Sequence, residues 1–261
     1  MITCFLTGWP ACVLAEDKTA ANLFANDILV SPHQPGMIEA RLLLAFGGRD
    51  TPIAGEPLEL VEDGTIVTTA TTDVSGTAKL RYVPMRRGNM NLSVRVAETS
   101  RFSARAAVTV AAWERRTPLL VVEMTALSDP VTQQPLADAV DELGKLTQFY
   151  YNIIYVTAEA RNPSAQFAAS DRAREWLATH KFPIGCLFVL PSIDPALGAR
   201  IDELRSAGWT TIKIGIGRSK EFAEAFLQRR LEAVMVPEPA KEHAPKKAKV
   251  AKDWKEVRKK L

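Results

Sequence analysis

The sequence predicts two domains in series: an all-β sandwich over residues 27–112 and an α/β domain built on a parallel sheet over residues 117–237. Three observations carry that prediction. Seven short stretches rich in β-branched residues, each closed by turn chemistry, fill fewer than ninety residues of the first half. At Leu119 the apolar pattern changes from alternating to continuous, the mark of a strand covered on both faces. From there strand-like and helix-like stretches alternate five times, as a parallel sheet with crossover helices requires.

Residues 1–26 precede the sandwich pattern. Residues 2–15 form an apolar run too short to span a bilayer. Val13-Leu14-Ala15 fits a small-residue cleavage site, but the positively charged start of an export signal is missing. The run reads either as a signal peptide whose basic start is lost or as a first strand, and residues 16–26 as one helical turn or a linker. The sandwich strands are expected at Ile28–Val30, Ile38–Phe46, Leu58–Val61, Thr65–Thr72, Thr77–Tyr82, Asn91–Ala97 and Ala104–Ala111. Pro35-Gly36, Gly47-Gly48, Asp63-Gly64, Ser75-Gly76 and Arg87-Gly88 supply the turns. Strict alternation in Ala78-Lys79-Leu80-Arg81-Tyr82 and in Leu92-Ser93-Val94-Arg95-Val96 sends one face to a core and the other to water.

Trp113-Glu114-Arg115-Arg116-Thr117-Pro118 reads as the junction, because a charged stretch ending in proline cannot continue a central strand. Beyond it, strands are expected at Leu119–Val122, Ile153–Val156, Cys186–Leu190, Thr211–Ile216 and Leu231–Val236. Helices are expected at Leu136–Gln148, Ser164–His180, Ala196–Ala207 and Glu221–Arg230. The ligand face of such a sheet lies at the carboxyl ends of its strands.

Two resemblances attach to these patterns. The stretches Thr51-Pro52-Ile53-Ala54-Gly55-Glu56-Pro57-Leu58, Thr71-Thr72-Asp73-Val74-Ser75-Gly76-Thr77-Ala78 and Tyr82-Val83-Pro84 resemble bacterial immunoglobulin-like domains of cell-surface and envelope proteins. That resemblance covers residues 27–112 and implies a spacer or docking module without catalytic residues. The second covers about residues 115–237. Val121-Val122 leading to Glu123, Tyr155-Val156-Thr157-Ala158, Trp176-Leu177, Phe182-Pro183 and Ile214-Gly215-Ile216-Gly217 resemble the haloacid-dehalogenase phosphatases, with a Rossmann-like sheet, especially the lipin-like phosphatidate phosphatases.

In that family the first strand ends in Asp-x-Asp-Gly-Thr; one aspartate attacks phosphorus, the other serves as acid and base, and both help hold magnesium. Carried onto this chain, those positions fall on Glu123, Thr125, Ala126 and Leu127. Glutamate is one methylene longer than aspartate, which moves the attacking oxygen beyond the roughly 0.5 Å that a preorganised site tolerates. Thr125 does not shuttle protons near neutral pH. For an active site the resemblance would employ Glu123, Asp129, Thr157 and Arg200, with Lys213 as an alternative to Arg200, and magnesium on Glu123 and Glu221. Two carboxylates are a poor offer to a hard divalent cation. Thr157, Gly215, Gly217 and Arg218 are the candidates for holding an anion. Each residue also has a plain reading: Glu123 as a satisfied polar group or half a salt bridge, Thr157 as a cap, the two glycines as relief of crowding beside the next helix, and Asp129 as cap of the helix that follows. His33, His180 and His243 lack partners for catalysis, and Cys4, Cys12 and Cys186 form neither a disulfide framework nor a zinc site.

Composition bounds the remaining choices. With 47% apolar and 24% charged residues the chain is a well-cored globular protein. Residues 241–261 hold nine Lys or Arg against three Asp or Glu, so of the overall +3 the first 240 residues carry −3. Residues 238–261 read as a basic linker and tail. Val250, Trp254, Val257 and Leu261 recur at helical spacing among Lys246, Lys247, Lys249, Lys252, Lys255 and Arg258. A helix this short orders only on a surface, either an anionic membrane, an acidic patch on a partner, the acidic body of its own chain or nucleic acid, the last disfavoured for want of a recognised fold. The expected function is that of a non-catalytic binding or structural protein without a cofactor, taking a protein partner. The alternatives are a magnesium-dependent phosphatidate-type phosphatase using Glu123 and a membrane-surface or envelope assembly factor acting through the tail. The expected location leans to the cell envelope over the cytoplasm.

Overall fold

The computed structural model describes residues 18–46, 49–159, 163–240, 242 and 244–261. The readings of residues 1–15, Cys4, Cys12, the Gly47-Gly48 turn and His243 lie outside the described residues.

The first half is a two-sheet β-sandwich. In one sheet β2 (Asn22–Ala25), β5 (Arg49–Pro52) and β8 (Thr77–Tyr82) all pair with the long β4 (Gly36–Phe46). The other runs in the order β3 (Ile28–Val30), β11 (Arg105–Ala112), β9 (Gly88–Val96), β6 (Pro57–Glu62) and β7 (Thr65–Thr71). A small parallel pair, β1 (Thr19–Ala20) with β10 (Phe102–Ser103), flanks them. The alternation works as expected: Ala78, Leu80 and Tyr82 of β8 are buried while Lys79 and Arg81 are exposed. Leu23, Ile38, Leu42, Leu58, Leu60, Leu80, Val94, Val108 and Val110 share the core between the sheets. The sandwich starts earlier than residue 27. Leu23 and Ala25 fill this core from β2, so residues 19–25 are strands rather than a helical turn or linker.

The second half is a parallel sheet of six strands: β12 (Leu119–Glu123), β13 (Asn152–Ala158), β14 (Cys186–Leu190), β15 (Ile212–Gly217), β16 (Glu232–Met235) and β17 (Lys249–Val250). Their spatial order is β14-β13-β12-β15-β16-β17, with every pairing parallel. The first strand is central and the winding reverses between β12 and β15, the order of a doubly wound sheet. Every residue of β12 is buried, which explains its unbroken apolar run. On one face pack α3 (Ala196–Ser206) and α4 (Lys220–Leu227) through Leu197, Ile201, Phe222 and Phe226. On the other pack α1 (Ala139–Phe149), α2 (Pro163–Thr179) and α5 (Trp254–Lys260) through Leu143, Leu146, Leu177, Trp254 and Val257.

The basic tail is therefore part of this domain, which extends to the last residue instead of ending at 237. Lys249 and Val250 add the sixth strand. Trp254 and Val257, at 1% and 0% exposure, belong to the core. Of the surfaces the tail could have ordered on, it takes its own acidic body: Lys255 meets Asp138 at 3.3 Å, and Arg258 comes within 3.8 Å of Glu142 on α1. Asp253 caps α5 by accepting from the Glu256 amide, and the Glu256 carboxylate accepts in return from the Lys252 amide, an arrangement close to a capping box. Trp254 as an exposed anchor is thus corrected by its burial. Lys246, Lys247, Lys249, Lys252, Lys255 and Arg258 remain exposed.

The two halves are joined by a polar and apolar interface. Trp113 and Ala111, at the end of the sandwich, sit in the α/β core, so the true linker begins at Glu114. Asp27, fully buried, accepts from the Thr109 amide in β11 and the Leu187 amide in β14, and pairs with Arg174 of α2 at 2.5 Å. Burial pushes the Asp27 carboxyl above its ordinary value, while Arg174 and the two amides pull it down. Asn89 accepts from the Trp113 indole and donates to the Ile184 carbonyl, and Phe24 stacks on Phe167 at 4.8 Å.

Candidate functional site

In a doubly wound sheet the ligand crevice opens at the carboxyl ends of the strands where the winding reverses. Here that point lies between Glu123, at the end of β12, and Gly217, at the end of β15. The two strands are paired directly up to Val122 and Ile216. Of the sequence-expected residues, Glu123, Gly217 and Arg218 lie at this point.

What occupies that place is the chain itself. Glu123 is only 3% exposed. Its Oε2 accepts from the Arg218 amide at 2.7 Å and the Ser219 amide at 2.9 Å, and its Oε1 accepts from the Ser219 hydroxyl at 2.6 Å. Ser219 is also the N-cap of α4, accepting from the Phe222 amide at 3.2 Å. A carboxylate at a helix N-terminus is held by unsatisfied amides and by the helix dipole. A bound phosphate would rely on the same donors. Glu123 therefore stands where an anion would sit.

The neighbouring residues pack around it on two sides, and a cleft of about 520 Å³ opens beyond Ser219 between Arg218–Glu221 and Pro237–Ala240. After β12 the chain turns through a 3-10 segment at Met124–Ala126; Ala126 and Leu127 are fully buried and Thr125 is exposed. The Trp254 indole donates to the Ala126 carbonyl at 2.9 Å, so the tail helix pins this turn from below. On the other side the Phe222 ring packs where Gly217 has no side chain: a Cβ there would lie 2.2 Å from the ring, and one on Gly215 would lie 2.6 Å from Phe226. The two glycines make room for aromatic rings, as their plain reading expected. For Arg218 the backbone amide serves Glu123, while the guanidinium reaches toward the Ser128 carbonyl at 3.4 Å.

The other expected residues are dispersed. Asp129 turns into its own loop, accepting from the amides of Val131 and Thr132 and from the Thr132 hydroxyl. Those bonds hold its carboxyl below the ordinary range. It organises a turn, not the cap of the following helix, whose N-cap is Asp138. Thr157 lies one residue beyond Val156, the register partner of Glu123, and pairs with Val189. Arg200 lies over the Phe188 ring at 4.4 Å and pairs with Glu203 on its own helix. Lys213 and Glu221 are exposed. Burial pushes the Cys186 thiol well up, which removes it as a nucleophile. Among the described residues no three His, Cys, Asp or Glu side chains gather as a metal site. The donor set does not suit magnesium, because the Glu123 oxygens that would bind it already face amide and hydroxyl donors. Ser219 was missed as the partner of Glu123; its signal was a serine directly before a helical pattern. Asp27 and Arg174 carried no signal, because their pairing is 147 residues apart in sequence.

No protein-family model and no curated protein matches the chain. Among solved structures it is similar to the D0-D1 domain of intimin at 15% identity, over 38% of this chain and 51% of that one, with a TM-score of 0.26. The chain thus spans about half of that intimin structure. It is also similar to the PKD domain of human KIAA0319, at 13% identity over 40% of this chain and 91% of that one, TM-score 0.25. A 1.5-MDa bacterial ice-binding adhesin matches at 13% identity over 42% and 40%, TM-score 0.24. Scores this low carry no argument about function; the sandwich and the parallel sheet rest on their own strand pairing. Among the described residues no helix is long and apolar enough to cross a membrane.

Proposed function

We propose that the chain is a non-catalytic binding or structural protein, an immunoglobulin-like sandwich joined to a haloacid-dehalogenase-like domain whose phosphatase site is occupied by its own Glu123. One observation supports this above the rest: the Glu123 carboxylate is bound by the Arg218 and Ser219 amides and the Ser219 hydroxyl. A carboxylate held that way has three of its roughly four lone-pair directions taken up, which blunts it as a nucleophile, and Thr125 offers no acid to protonate a leaving group. The partner expected on this reading is a protein. A location in the cell envelope goes with the immunoglobulin-like reading and is proposed with it.

The test is magnesium-dependent hydrolysis of p-nitrophenyl phosphate and of phosphatidate by the full chain. No turnover above the buffer rate is expected for the wild type or for Glu123→Gln. Wild-type turnover that disappears in Glu123→Gln would overturn the reading in favour of a phosphatase.

A further inference from the structure

Where the outer face of β9 and β11 meets α2, the two domains form an open cleft of about 280 Å³. Asn91, Ala107 and Thr109 line it from the outer face of the sandwich, Leu177 from α2, Tyr155 and Leu187 from the parallel sheet, and Phe182 from the segment before β14. Ile184, 57% exposed, stands at its mouth together with the exposed Asn91. Apolar and aromatic walls with a few polar groups, placed between domains, are the usual make-up of a small-molecule site.

The walls also say what kind of molecule fits. Arg174 is the one charged residue among the described residues that line the cleft. Two of its guanidinium nitrogens donate to the Thr109 hydroxyl and the buried Asp27 carboxylate, while its buried Nε has no partner among the described residues. Asp27 neutralises this charge, so the lining offers no net charge to an ion, and the free Nε can donate to one acceptor on an uncharged ligand. An apolar cavity of about 150 Å³ takes one benzene ring, so this space suits about two. We propose that the interdomain cleft binds a neutral, largely apolar molecule of about two fused rings, and that only the docked pair of domains forms the site. Thr109, Arg174 and Leu187 both line the cleft and hold Asp27, so occupation and domain docking stabilise one another. Neither Glu123 nor the tail contributes to the walls, which makes this site independent of the one at the strand ends.

The probe is 2-naphthol, neutral at pH 7, titrated into the full chain by its fluorescence beside anionic 2-naphthoate and cationic 2-naphthylmethylammonium. Saturable binding of 2-naphthol is expected, at least tenfold tighter than either charged analogue, with a Tm that rises with its concentration. Ala178→Trp, which fills the cleft from an exposed position on α2, is expected to weaken binding tenfold or more without changing the far-ultraviolet circular dichroism. If that variant does not fold, Ala107→Trp on the opposite wall provides the same test. Absence of saturable 2-naphthol binding, equal binding of the three probes, or undiminished affinity in the folded filled variants would overturn the proposal.

Discussion

Glu123 shows how one methylene changes the role of a position. The longer side chain reaches across from the end of β12 to the N-terminus of α4, where two amides and a hydroxyl take up both its oxygens. Bonds from a charged acceptor to amides stabilise by about 1.5–3 kcal/mol each. Glu123→Gln turns an NH2 toward donors, and a loss of about 1–3 kcal/mol is expected in urea unfolding. Gly217→Ala puts a methyl against the buried Phe222 ring, which has no room to move; a loss of about 1–3 kcal/mol is expected by the same measurement. Asp73 gives a pH-dependent case. The Ser75 hydroxyl and the amides of Thr77 and Ser75 hold its carboxyl below the ordinary value. A depressed folded value means the stabilisation is complete above the unfolded pKa of about 4. It is then lost as pH falls through the folded value. Asp73→Ala is therefore expected to be less stable than wild type at pH 7, and the gap between their Tm values is expected to close on acidification below pH 4. At this scale the sequence marked Glu123 and the two glycines as belonging together. It did not show that Ser219 closes the arrangement, because a serine before a helix says where the helix begins and nothing of what else its hydroxyl binds.

At the scale of elements, the tail is where charge and burial point in different directions. Its exposed lysines suggest a free basic helix, yet the stripe of Trp254 and Val257 fills the core beneath α1. Trp254→Ala is expected to cost about 3–5 kcal/mol, read as a fall in the urea midpoint. Deleting residues 246–261 is expected to lower the Tm of the α/β domain while leaving vesicle binding unchanged. Tail-dependent vesicle binding would restore the membrane reading. Most elements were legible: β8 and β14 have the expected limits, and the helices begin and end within three residues of theirs. These stretches carry their period within themselves. β2 and β17 do not, being four and two residues long. Leu23 and Ala25 are buried only because β4 lies beside them, and β17 exists only because β16 offers a free edge. Helical spacing in the tail was legible, but not the surface it meets, since the same stripe fits a membrane or a core.

At the scale of the whole molecule, the buried Asp27 makes the two halves interdependent. Removing one partner of a buried ion pair costs about 3–5 kcal/mol, because the other charge is left without compensation. Asp27→Asn strands Arg174 in this way, and scanning calorimetry is expected to resolve two transitions where the wild type shows one. The domain order and the period change at Leu119 were legible because each domain writes its own pattern; contacts between domains leave no local pattern. The α/β half has the layout of a ligand-binding sheet, and on the proposed reading Glu123 occupies the anion position at the reversal of its winding. Titration of the full chain with Mn²⁺, followed by electron paramagnetic resonance, tests that occupation directly. No saturable site is expected in the wild type; a single bound ion that is lost in Glu123→Gln would contradict it.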